Sequence, residues 1–431
     1  MMQRRHMLRS VLGLSGMGLI SVATGLPAAF LRQPLAWGKD EDEPIDPDRA
    51  QYLILSGLDS GDPFNANAPG SYELNGIVHG GGPAMAKTAL TLGTVATHAA
   101  QLWSSLPQNV LDRSTFIHHA TRTQVHGELV KVLQLLGDAS KSETITAIFA
   151  KYLAPALGTV NATPVPVGDV NMSAGGRILP RLKPTTLREL LVADDSPLND
   201  LQTLRDEALD EIHLTLKAQG TTEQRKFMDD HSSARADVRM LSEGAVDLLG
   251  PVTNDKESAQ IRAAVALIKL KLTPVVALAF PFGGDNHNDQ AFEKEIEQHT
   301  SGIGYIGELM ALLASEGLSD RVTFASLNVF GRTLKNQGTK GRTHHSKHHV
   351  TMMVGRYVNA GVVGGLEASG DDFQARAIDS MTGLASDSGD ISYDDGLPSV
   401  GKTLGAVLGL HDATLDTEIL KGKIISAAVA E

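Results

Sequence analysis

The chain has 431 residues, of which 42% are hydrophobic, 4% aromatic and none cysteine, and its formal net charge is -12. It is long enough for a substantial core, has no overall attraction to nucleic acid or anionic lipid, and is poor in aromatic platforms for stacking bases or sugars. Without cysteine, disulfides, thiolate zinc sites, iron–sulfur clusters and a cysteine nucleophile are excluded, so any metal must sit on His, Asp, Glu, Asn or hydroxyl ligands.

Arg4-Arg5 stand ahead of an uncharged, mildly apolar stretch, residues 11–30. That is the pattern of a twin-arginine export signal, which carries folded cargo across a bacterial inner membrane. Residues 1–36 are read as this signal or as a retained anchor. The expected location is the periplasm or cell envelope of a bacterium, with the twin-arginine export machinery as one partner and the membrane as another only if the anchor is kept. Residues 37–50 form an acidic linker with two prolines. Residues 51–431 are expected to form a single α/β domain with a helical insertion at about 185–271.

In that domain, Tyr52 to Leu55 reads as a short buried strand running into a loop rich in Gly, Asn, Asp and Pro. Residues from about Ala84 to Ser105 have helical spacing, and Ser114 to Ile117 is a second strand. Apolar positions recurring at three and four predict two long amphipathic helices over about Leu198 to Leu249, and a third over about Lys256 to Lys271. Next come a strand (Thr273 to Phe280), the loop PFGGDNHNDQ, a helix (about Ala291 to Ser315), and a strand (Val322 to Leu327) ending in a long polar loop. This βαβ order predicts a mostly parallel central sheet flanked by helices. The polar loops after Leu55, Phe280 and Leu327 would meet at the carboxyl edge of such a sheet, where open α/β sheets bind ligands.

Three features carry candidate chemistry. GGDNHNDQ offers Asp285 and His287 two apart, which in a loop can face one ion, or can form an Asx-turn capping the next helix. GRTHHSKHH places His344, His345, His348 and His349 within six residues. His118 and His119 end a strand and read as hydrogen-bonded structural residues, with His126 a little further on as the stronger ligand candidate. No HExxH, P-loop, GxSxG or dinucleotide fingerprint stands in context. Ser60, Ser71, Thr88 and Thr91 supply hydroxyls after the first strand, and none lies in a decisive motif.

The ordered segments LSGLDSG, TQVHGELV, GGDNHNDQ, NVFGRT, Asn336, GRTHH and AGVVGGLE, together with the signal, resemble a bacterial exported family called domain of unknown function 1501. Its members are similar in fold to the alkaline phosphatase and sulfatase superfamily. The resemblance implies an alkaline-phosphatase-like α/β fold and a divalent metal, such as Zn²⁺, at Asp285, His287 and His344, with Asp59 and His126 as further ligands. It also implies that Arg332 contacts an anion and that Asn336 lies in the same loop. The chain departs from the family at two places. Val329 stands in NVFGR where Ser-Glu-Phe-Gly-Arg is usual, and Thr343 precedes His344 where Asp is usual. A second ion would lack two carboxylates, which His345, His348 and His349 could replace only in part, giving a softer, His-rich site. The resulting expectation is an exported metal-dependent hydrolase of phosphate, sulfate or related anionic esters, with a small anionic substrate or envelope component as its other partner. The alternative is a catalytically degenerate envelope binding or assembly protein that keeps the fold.

Overall fold

A computed structural model describes residues 44–61, 63–192, 211, 221, 246–282, 285–335 and 341–431. The expected signal, the first part of the linker, almost all of the two long helices expected over 198–249, and Asn336 lie outside the described residues.

The strands that build the centre are buried almost throughout, their polar residues included. β1 (Tyr52–Ser56) is buried at every position, as a strand covered on both faces must be. β2 (Lys87–Leu92) and β3 (Val95–Ala100) form a separate antiparallel hairpin. β4 is Ser114–His119 and β5 the two-residue strand Val165–Pro166. β6 (Val275–Leu278) and β7 (Val322–Ser326) are again buried at every position. β8 (Gly331–Arg332) and β9 (His344–His345) pair antiparallel as a small ribbon beside the main sheet. β10 (His349–Val354) and β11 (Gly361–Val363) complete it. The central sheet has seven strands in the order β11-β4-β10-β7-β1-β6-β5. All neighbours in it are parallel except β10, which runs antiparallel to both β4 and β7.

Among the helices of the described residues are α1 (Leu129–Leu133), α2 (Ile145–Leu157), α3 (Pro184–Leu191), α4 (Glu257–Lys269), α5 (Glu293–Ser315) and α6 (Gly396–Val407). Thr144 starts α2 by accepting the Ala147 N–H, and Gly158 ends it in the left-handed conformation that a residue without Cβ takes freely. α4 packs on β6 and on α5, whose Ile303, Ile306, Leu309 and Leu313 form its buried stripe. The β6–α5–β7 unit places its two strands on either side of β1. This is the α/β architecture expected from the sequence, a mostly parallel sheet flanked by helices, and it is compatible with an alkaline-phosphatase-like fold. No described helix is long and apolar enough to cross a membrane.

One expected element is different. Residues 84–105 do not form a helix but the β2–β3 hairpin followed by a 3-10 turn at Gln101–Ser105. Leu90 and Leu92 alternate inward along β2, and the two-residue turn between Leu92 and Val95 has Gly93 at φ +58°. Leucines and alanines at spacings of two and four satisfy both periods, and the turn-forming Gly93 decides for the strand pair.

Candidate metal centre

Parallel strands bring their carboxyl ends to one edge. The loops after β1, β6 and β7 emerge there, as predicted, and so does the loop after β4, which is parallel to β7 across β10. Because β10 runs the other way, its amino end, with His348 and His349, begins at the same edge. Residues that are 218 positions apart in the chain thus become neighbours. His126, His287 and His344 each present one ring nitrogen, and the three nitrogens lie within 4.8 Å of one another.

Two of the three rings are held by the backbone. His126 Nδ1 lies 2.6 Å from the Asp59 carbonyl oxygen, and His344 Nδ1 lies 2.6 Å from that of Gln124. A carbonyl only accepts, so both Nδ1 atoms carry the proton and both Nε2 atoms keep their lone pairs. Metal-ligating histidines are oriented by such outer hydrogen bonds. His344 Nε2 is buried and has no hydrogen-bond partner. Burial, then the positive charge of Arg332 and of the other two histidines, keeps His344 below its ordinary pKa despite its bond to Gln124. The ring of His344 stacks on Phe330, with centroids 4.4 Å apart, and meets His126 edge-on at 4.5 Å.

His287 differs. Its Nε2 lies 3.3 Å from Arg332 Nη1 and 3.3 Å from Asp285 Oδ1. Arg332 is completely buried, donates from Nη2 to the Ser60 carbonyl, and stands 3.7 Å from Asp285. Partial burial acts to raise the Asp285 carboxyl, but His287, its N–H, Arg332 and His126 together hold it below its ordinary value. An open depression of about 400 Å³ beside this loop is lined by Asp285, His287, Asn288, Asp289 and Lys294. Three imidazoles with a carboxylate at the margin are a donor set that suits a borderline transition ion, and an unpartnered buried imidazole nitrogen is accounted for by one. The three-histidine group can hold a metal ion.

The loops that carry these rings are fastened by a buried ion pair that composition alone would assign to the surface. Arg342 and Glu295 are both fully buried, joined by Nε to Oε2 at 2.7 Å and Nη2 to Oε1 at 3.2 Å. Glu295 also accepts from Asn67 of the β1 loop at 2.8 Å and from Asn286 of the β6 loop at 3.0 Å. Arg342 donates to the carbonyls of Thr333 and Leu334, beyond β8. Gly341 N–H donates to His287 O, and any Cβ at Gly341 would overlap the Asn286 carbonyl oxygen. Gly61, at φ +89°, lets the β1 loop pass Phe330, which a Cβ would meet at 2.5 Å.

GGDNHNDQ answers both of its readings. His287 N–H lies 3.4 Å from Asp285 Oδ1 in an Asx-turn, and Asp289 accepts the Glu295 N–H in the first turn of α5. His287 itself turns to the histidine group.

Other candidates are placed elsewhere. The Asp59 backbone orients His126, but its carboxylate oxygens accept from the Leu129 N–H and the Asn171 amide, each at 3.0 Å, so the carboxylate is not brought into the group. His345, His348 and His349 do not belong to the three-histidine group of the described residues. His345 Nε2 donates to Phe373 O at 2.6 Å. His348 and His349 are fully buried at the start of β10 against His118 and His119 at the end of β4. His118 Nε2 donates to Pro69 O, so its Nδ1 accepts from His348 Nε2 at 2.9 Å. His119 Nδ1 donates to Ala120 O and its Nε2 accepts from Thr351 Oγ1 at 2.8 Å. Burial pushes His118 and His119 down to about 4, and holds His348 and His349 well below the ordinary range. Between the two pairs, the Ser346 carbonyl accepts the N–H groups of Thr121 and Arg122, and Lys347 O accepts that of Ala375.

Val329 is fully buried and Thr343 half-buried, its N–H bound to Thr333 Oγ1. Of the hydroxyls, Ser71 is buried, and Thr88 and Thr91 stand on the β2–β3 hairpin, where Thr88 donates to Ala86 O. Ser60 is beside Arg332, through its backbone carbonyl. No protein-family profile matches the chain, and no curated protein matches its sequence.

Proposed function

We propose that this protein is an exported hydrolase of anionic esters, of the phosphate or sulfate class, that uses one divalent transition ion such as Zn²⁺ held by His126, His287 and His344. The observation that carries this reading is the pair of backbone carbonyls, of Asp59 and Gln124, that fix the protons of His126 and His344 on Nδ1 in a group whose three ring nitrogens lie within 4.8 Å of one another. Such an ion, when bound, supplies Lewis acidity and acidifies water at neutral pH. The chain's own contribution is charge and position. Arg332 offers a permanently charged, planar donor to the anionic group from a buried seat, where its charge is weakly screened. Asp285 balances Arg332 and is placed to hold a proton from water on the open side. The motif order that resembles the alkaline phosphatase and sulfatase superfamily supports the same class.

One observation favours a second reading, a binding or assembly protein of the cell envelope. Val329 is buried where the family carries a carboxylate, and both Asp59 carboxylate oxygens are engaged, so neither of these two positions offers a ligand to a second ion. Metal analysis of wild type against His287→Ala and Asp285→Ala tests the site. About one ion per chain in wild type, lost in His287→Ala, is expected; an ion content near zero, or unchanged in both variants, would end the reading. A panel of phosphate and sulfate esters with added divalent ions then separates the two functions. A stoichiometric ion with no turnover on any ester would move the protein to the binding class.

A further inference from the structure

His287 belongs both to the histidine group and to the open depression beside it. The depression, about 400 Å³, is lined among the described residues by Asp285, His287, Asn288, Asp289 and Lys294. None of these is an aliphatic or aromatic hydrocarbon side chain, whereas small-molecule pockets of this size are mostly apolar. The lining offers both kinds of hydrogen-bonding group. Asn288 is exposed, and an amide both donates and accepts. Asp289 Oδ2 takes the Glu295 N–H at 2.8 Å, and a carboxylate accepts more than one bond. Lys294 Nζ reaches the Asp285 carbonyl oxygen at 3.3 Å, and an ammonium has further protons to give. Helix stability does not account for this lysine. It is the second residue of α5, between Glu293 and Glu295, and a cation in the first turn opposes the helix dipole.

We propose that the depression receives the alcohol portion of the substrate, and that it selects small, neutral alcohols rich in hydroxyl groups, of the sugar or polyol class. The proposal rests on the reading that an ion on the three histidines holds the anionic group of an ester. From that group the ester oxygen leads the alcohol past His287 into the depression. A hydroxyl donates and accepts, so successive hydroxyls can pair with Asn288, Asp289 and Lys294, while a hydrocarbon finds no apolar surface to bury against. The acidic and basic lining residues are Asp285 and Asp289 against Lys294, so the lining holds no surplus positive charge for a second anionic group.

The test is binding to the Zn²⁺-loaded full protein, by equilibrium dialysis, or as KM where an ester turns over. The probes are inorganic phosphate, a hexose phosphate, the matching aldonate phosphate, which adds a carboxylate, and phenyl phosphate. The hexose phosphate is expected to bind about tenfold more tightly than phenyl phosphate, the worth of one or two net hydrogen bonds. The aldonate phosphate should bind no more tightly than the hexose phosphate. Lys294→Met and Asn288→Ala should each remove most of the hexose advantage and leave inorganic phosphate unchanged, while Lys294→Arg restores it. Val125→Ser, at the exposed loop on the His126 side, should change neither. If phenyl phosphate binds as tightly as the hexose phosphate, if the aldonate phosphate binds more tightly, or if the hexose advantage survives both Lys294→Met and Asn288→Ala, the proposal falls while the metal centre stands. If the Zn²⁺-loaded protein does not bind inorganic phosphate, or binds it equally well as His344→Ala, the metal reading is wrong and this proposal falls with it.

Discussion

Two groups of histidines lie at the same edge of the sheet, and the stretch HHSKHH contributes to both. His344 belongs to the outer group, with His126 and His287; His348 and His349 belong to the inner one, with His118 and His119. The side chains are identical and the difference is in what holds their nitrogens. In the outer group the backbone takes Nδ1 of two rings, and one nitrogen of each of the three rings lies within 4.8 Å of the others. In the inner group both nitrogens of His118 and of His119 are engaged by a carbonyl on one side and a histidine or threonine on the other. Clustered histidines are thus no sign of a metal by themselves. The sign is a shared direction for nitrogens that the protein has left unused.

That contrast can be broken or sharpened at four points. The largest effect is expected at the ion pair behind the outer group. Arg342→Ala leaves Glu295 charged and unpaired in the interior, and should cost about 3–5 kcal/mol in chemical denaturation. It should also scatter the loops that carry His287 and His344, with loss of bound ion from whatever remains folded. A cost under about 1 kcal/mol would mean that the outer group does not depend on this pair.

Next in size is the response to metal. Zn²⁺ at about a hundred times its dissociation constant should stabilise wild type by about 2.7 kcal/mol, a gain that His344→Ala abolishes. His348→Gln should lower the stability of the ion-free protein yet keep the whole gain. If the two variants, four residues apart, behave alike, the division into two groups is wrong.

Acid should act through the inner group. Its histidines have folded pKa values below the unfolded value near 6.5, with His118 and His119 at about 4. In that window the unfolded chain binds protons that the folded chain refuses, so their contribution is present above about 6.5 and is lost as the pH falls toward 4. Each such histidine adds about 1.4 kcal/mol per pH unit to the slope. Denaturant midpoints of the chelated protein should fall accordingly between pH 6.5 and 4, and a flat profile there would deny the burial of the group. The smallest effect is at Asp59. Asp59→Asn weakens the contact to the Leu129 N–H at the start of α1, and should cost about 1 kcal/mol without changing the ion content. Loss of the ion in this variant would return its carboxylate to the ligand set.

Much of the frame is legible in the sequence, because β1, β6 and β7 are apolar runs of strand length and the helix between β6 and β7 has a clear period. The hairpin at Lys87–Ala100 is not, since alanine and leucine at mixed spacing suit either period until Gly93 sets the turn. His287 and His344 can be anticipated from their loops after parallel strands. His126 is brought to them only by the placing of β4 beside β10, a non-local pairing with no local trace. Glu295 and Arg342 read as ordinary surface charges on a helix and in a loop, and nothing in their immediate neighbours reveals the buried partners. The signal that was available is the pair of glycines, at 61 and 341, in positions where backbones must pass closely.

Ser346 and Lys347 separate the two groups, and both carbonyls are taken, one by the loop that leads to His126 and one by Ala375. They act as a ruler. Adding or removing one residue there would either slip β10 by one position, turning its inward residues outward, or drag His344 off its seat and the His126 loop with it. The chain can vary the residues of this spacer far more easily than its length. Two residues thus keep the core and the surface site in step, and neither can be rebuilt without the other.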